Sequence, residues 1–148
     1  MLPGVGDIAR FIFNHQYTVG TVQSITDMDT DRPKYIVKVG HFQMVLHDAV
    51  FFVSQVDVER ALDEMFEERP KIEVDSEAYV IDGNAVWKGR VNQSLWTTLG
   101  LQYLVNKTQY AGKGYRDTKT CAKISWLLDS DVFPNEEDAF DEFYERPY

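Results

Sequence analysis

The chain has 148 residues, 44% of them hydrophobic and 26% charged, which is the composition of an ordinary globular protein. It excludes a wholly disordered, collagen-like or low-complexity chain. A formal net charge of -9 argues against a protein whose whole surface binds nucleic acid, and a single cysteine, Cys121, excludes an intrachain disulfide framework.

Taken in chain order, residues 1–7 show no basic stretch leading into an apolar one. The longest apolar run, residues 49–53, is five residues long, far below the roughly 20 needed to span a bilayer. A cytoplasmic protein without a membrane partner is therefore expected. Residues 17–26 are rich in β-branched side chains and predict a strand, followed by a polar turn over 27–33. Residues 35–39 predict a second strand, with Tyr35, Val37 and Val39 on one face, and 42–46 a third, with Phe42, Met44 and Leu46 aligned. Residues 50–53 predict a short buried fourth strand. Four short strands joined by tight turns bury little unless they curl or pack on a helix. Residues 1–56 thus read as a small SH3-like β-barrel or a curved antiparallel meander. Residues 57–148 read as an α/β extension packed on it, which makes the whole an α+β fold.

The next segment carries the clearest helical signal. Val58, Ala61, Leu62, Met65 and Phe66 form one apolar stripe at a 3.6-residue period. Ser54 or Asp57 can cap its start, and Pro70 helps end it. Glu59, Asp63, Glu64, Glu67 and Glu68 cover the other faces. Asp82-Gly83-Asn84 signals a hairpin turn, with Tyr79 and Trp87 as a candidate cross-strand aromatic pair. A helix is expected from about residue 93 or 94 to 105, with Leu95, Leu99 and Gln102 on one line. A second is expected from Asp117 or Thr118 to Leu128, with Cys121, Ile124 and Leu128 inward. Asn135 can cap a last helix, over 135–146, whose Ala139, Phe140, Phe143 and Tyr144 fall on one side.

Charge divides the chain into four blocks. Residues 1–56 carry net -1, 57–78 net -6, 79–128 net +5 and 129–148 net -7. An acidic total thus hides a basic middle. Within it, Lys107, Lys113, Tyr115, Arg116, Lys119 and Lys123 surround a Gly-Lys-Gly segment, a composition suited to phosphate contact and base stacking. The same residues also describe an ordinary solvent loop.

Motifs for known chemistry are missing. The GxxxxGK[ST] phosphate loop, the dinucleotide GxGxxG and the GxSxG nucleophile elbow do not occur. Asp27-x-Asp29-x-Asp31 opens like a calcium loop, but Arg32 takes the position of the required glycine and Lys38 that of the final glutamate. His15, His41 and His47 do not make a compact ligand set. No cofactor, metal or catalytic residue is therefore expected.

Two function classes follow. The first is a non-enzymatic protein–protein interaction module, an adaptor, assembly component or acidic inhibitor of a partner with a basic surface. It would use Glu59, Asp63, Glu64 and Glu67, with Phe140, Phe143 and Tyr144 of the last helix as an aromatic anchor. The alternative is a nucleic-acid-binding protein that uses segment 107–123.

Overall fold

The computed structural model describes residues 2–26, 32–67, 71–83, 85–114 and 123–146. The fold is α+β. The chain divides into two compact units, Met1–Arg69 with Leu95–Leu99, and Pro70–Ser94 with Gly100–Tyr148. None of the described helices is long and apolar enough to cross a membrane.

The first unit is an antiparallel meander of β1 (Ile8–Phe13), β2 (Gln16–Thr26), β3 (Lys34–Val39) and β4 (Phe42–His47), followed by helix α1 (Gln55–Met65). Strand β1 escaped the sequence reading. Its connection to β2 is two residues long, because Phe13 pairs with Gln16. Asn14 and His15 both take positive φ, 51° and 66°. That geometry matches the right-handed twist of the flanking strands, and an asparagine-first turn is its main local signal. Ala9 and Phe11 of β1 join Val22, Tyr35, Val37, Leu46 and Val50 in one core.

The sheet does not close. Among the described residues β4 pairs with β3 alone, and the far side of β1 is taken by Leu95 opposite Phe13 and by a bridge from Arg10 to Phe52. The SH3-like barrel is therefore replaced by an open sheet, because the edge that closure would need is already occupied. The strand expected over 50–53 is also absent. Residues Asp48–Val50 form a 3-10 turn instead. This places the Phe51 ring edge-on to Tyr35, 5.0 Å away, and to Phe11, 6.5 Å away. Burying that ring in the core leaves only Phe52 to pair, its N–H donating to Arg10 O at 2.8 Å.

Gly20 sits in the middle of β2 for a steric reason. A Cβ there would lie 2.5 Å from Val37 Cγ1 and 2.8 Å from Lys38 O, so any side chain pushes β2 from β3.

The second unit is a sheet in the order β9-β5-β6-β7-β8, with helix α2 packed on β5 and β9. Its strands are β5 (Glu77–Asp82), β6 (Ala85–Thr97), β7 (Gly100–Gly114), β8 (Ile124–Leu128) and β9 (Val132–Phe133), and α2 spans Glu136–Glu145. The expected hairpin forms, but Tyr79 pairs with Lys88 and Trp87 with Val80. Tyr79 and Trp87 therefore lie on opposite faces.

Both helices expected between 93 and 128 are corrected. Residues 93–97 end β6, 98–99 turn, and β7 begins at Gly100, whose φ of 119° suits a turn and no helix. In β7 Leu101, Tyr103, Val105 and Lys107 are buried, while Gln102, Leu104 and Asn106 are half-buried. That is a period of two with apolar residues on both faces, a pattern that also fits a broad helical stripe. Ile124 and Leu128 lie on strand β8; Cys121 and the expected helix start at Asp117 or Thr118 lie outside the described residues.

Two stability outcomes follow. Gly20→Ala should lower unfolding free energy by about 1–3 kcal/mol through overpacking, measured by urea denaturation. Gly4→Ala should stay close to neutral, since its Cβ would meet only Asp7 Oδ2 at 3.4 Å. Equal effects would mean that β2 and β3 can separate at no expense.

Candidate interaction surfaces

Helix α1 starts where Ser54, in extended backbone, accepts a hydrogen bond from the Asp57 N–H at 3.3 Å. Val58 is fully buried, and Ala61, Leu62, Met65 and Phe66 are half-buried, so the apolar stripe faces the first unit as its period demands. Phe66, just past the helix, meets the His15 ring edge-on at 5.3 Å. The opposite side is acidic. Glu59, Asp63, Glu64 and Glu67 are all exposed. At 100° per residue Glu59 and Asp63 fall close to one line, with exposed Val56 one turn before Glu59 and exposed Arg60 beside them; Glu67 lies just past the helix end. Gln55 donates to Glu59 at 3.0 Å. Among the described residues no ion pair engages Asp63, Glu64 or Glu67.

Helix α2 is capped by Asn135, which accepts from the Asp138 N–H at 2.9 Å, with Glu136, Glu137 and Asp138 in its first turn. Its other end is tied down by Arg146, which reaches Asp131 at 2.8 Å, Glu142 at 3.1 Å and the Ser130 carbonyl at 3.2 Å. Partial burial opposes the guanidinium's charge, but hydrogen bonds to Asp131 and Glu142 outweigh it and hold the pKa above the usual arginine value. A raised folded-state pKa means that this contribution is fully present throughout the neutral range and is lost only at extreme alkaline pH. Of the three aromatics expected to meet a partner, Phe140 and Phe143 are buried with Ile81, Val86, Phe133 and Ala139. Tyr144 is 64% exposed and stacks near Phe140.

The basic segment divides differently from its composition. Lys107 is 5% exposed, points into the second unit and pairs with Asp82. Its ammonium also donates to Ser125 Oγ at 3.1 Å and lies 5.9 Å from the centre of the Trp87 ring. Trp87 in turn meets Tyr110 at 5.5 Å and donates its indole N–H to Asp82 O at 3.0 Å. This ammonium is committed to the core and is not presented to phosphate. Lys123 is exposed at the start of β8. Tyr115, Arg116, Lys119 and the Lys113 side chain lie outside the described residues.

The described residues hold no cluster of three or more His, Cys, Asp or Glu suited to a metal. No family model, curated protein or solved structure matches the chain.

Strand β8, like β1, is a feature that sequence reasoning missed. Ile124, Trp126 and Leu128 are 53%, 43% and 37% exposed, while Leu127 between them is buried. The available signal was a partial alternation, Ile124-Ser125-Trp126, interrupted by adjacent Leu127 and Leu128 and masked by the helical reading of the same residues.

Removing the ammonium leaves Asp82 without its countercharge, so Lys107→Ala should destabilise the protein by about 3 kcal/mol. Phe140→Ala should cost a similar amount, about 3 kcal/mol, and Glu137→Ala less than about 0.5 kcal/mol. Thermal and urea unfolding of the three variants checks this. A neutral Phe140→Ala would mean that α2 does not contribute to the folded core.

Proposed function

We propose that this protein is a non-enzymatic interaction module that binds a protein with a basic surface through the outward side of α1. One observation carries the reading. Glu59 and Asp63, one turn apart, stand in solvent on a helix whose other side is committed to the core, and exposed Glu64 and Glu67 add carboxylates at its C-terminal end. Like charges one turn apart on a helix are mildly destabilising by themselves. Opposed cations would relieve that repulsion, and the exposed Val56, one turn before Glu59, supplies an apolar contact. Tyr144 is the one aromatic of the acidic C-terminal helix left to serve a partner, since Phe140 and Phe143 belong to the core. An adaptor, an assembly component and an acidic inhibitor all use such a face in the same physical way.

The test is affinity capture from host extract at low and high salt, with and without nuclease. Wild type should retain a basic protein that survives nuclease and weakens as salt rises. The combined variant Glu59→Lys, Asp63→Lys, Glu67→Lys should lose it while unfolding at an unchanged temperature. Recovery of nucleic acid at low salt, unaffected by these substitutions, would overturn the proposal in favour of the segment around Lys113–Lys123.

A further inference from the structure

Strand edges distinguish the sheets of this protein. An edge strand exposes unpaired N–H and C=O groups, and natural proteins protect it with charge, proline, a bulge or shortness. In the second unit β9 is a two-residue edge. In the first unit β4 presents Gln43, Val45 and His47 on its outward row, so its one apolar residue is flanked by polar ones. Strand β8 has none of these protections. Among the described residues it pairs only with β7, in an uninterrupted register from Gln102–Leu128 to Asn106–Ile124. Its five residues, ISWLL, contain no charge and no proline. On one face it holds Ile124, Trp126 and Leu128, all open to solvent. Opposite them on β7 stand Gln102, Leu104 and Asn106, which places Leu104 beside Trp126 and a polar residue at either end.

We propose that β8 pairs with β8 of a second copy of this chain, antiparallel and centred on Trp126, to form a symmetric dimer. The sequence around the strand is complementary to its own reverse. With Trp126 facing Trp126 across the two-fold axis, Ile124 lies opposite Leu128 of the second copy, and Leu128 opposite Ile124. Six apolar side chains then form one continuous row. A two-fold axis presents the same surface on both chains, and this register satisfies that requirement without a second surface. Ser125 and Leu127 keep their places on the buried face, so the pairing asks for no change inside the unit.

One strand edge makes a small interface, so the dimer belongs to the weak, concentration-dependent class. Its salt response is opposite to that of the α1 face. Each chain carries net charge -9, and salt screens the repulsion between copies while leaving apolar contact intact. A dimer that strengthens with salt is therefore separable from a basic partner lost with salt.

Sedimentation velocity of the full chain, from about 10 µM to about 500 µM, reads the association directly. Wild type should pass from monomer to dimer, more readily at high salt. Trp126→Lys should move the midpoint up by roughly tenfold or more, with an unchanged circular dichroism spectrum. In a Cys121→Ser background, Trp126→Cys should give a disulfide-linked dimer under mild oxidation and Val45→Cys on the β4 edge should not. This pair decides the matter even if Trp126→Lys fails to fold. A wild type that stays monomeric throughout overturns self-pairing and leaves the edge to an extended segment of another protein. Equal cross-linking at 45 and 126, or assembly that continues past the dimer, overturns it as well.

Discussion

Four strands of the second unit meet at one ammonium. Lys107 stands on β7; Asp82 ends β5, Trp87 lies on β6 and Ser125 on β8, and all of them reach the Lys107 side chain. Taking an ammonium out of water costs several kcal/mol unless a countercharge and hydrogen bonds replace its hydration. Asp82 supplies the charge, Ser125 an acceptor and the Trp87 ring a face of negative potential. Each partner comes from a different strand, so the requirement for all three fixes how those strands are placed around the site. Tyr110, edge-on to Trp87, and the indole N–H bond to Asp82 O extend the same set of constraints.

That arrangement changes the meaning of the basic middle block. By composition Lys107 belonged to a cationic stretch suited to phosphate. In the fold its charge is spent inside the protein, since a buried and paired lysine contributes little to the field outside. Helix α1 keeps its charge outside. It must bury Val58 and its neighbours, and the 3.6-residue period then leaves Glu59, Asp63 and Glu64 facing water. Lys107 is turned inward, whereas Lys123 and Arg90 stay exposed, so the proposed basic partner rests on the exposed carboxylates of α1.

The two units solve the problem of strand edges by different means. In the first, Leu95 and Phe52 occupy the far side of β1, which keeps the sheet open and fills its edge at once. In the second, α2 lies against β5 and β9, burying Phe140 and Phe143 beside Phe133 and Ile81. The aromatic residues of an acidic helix thus complete a core before they can anchor a partner. Among the described residues, β8 alone keeps both an open backbone edge and an apolar row.

The amino-acid sequence by itself determined the features that depend on near neighbours. The meander over 17–47 follows from β-branched alternation and tight turns, helix α1 from its stripe and Ser54, the β5–β6 hairpin from Asp82-Gly83, and α2 from Asn135 and its acidic first turn. The exposed carboxylates of α1 were legible for the same reason, because a helix with one apolar stripe has a solvent side wherever it packs. Tertiary structure alone decided the rest. Residues 93–107 and 124–128 mix apolar and polar side chains closely enough that a helical and a strand period fit about equally until partner strands choose between them. Closure of the first sheet depended on which residues reach the free side of β1, and those come from Phe52 and Leu95, distant in sequence. The burial of Lys107 depended on Asp82 and Ser125, 25 and 18 residues away. Local periodicity has no access to partners at that range, because the free energy of burying a charge or pairing an edge exists only once the chain has brought them together.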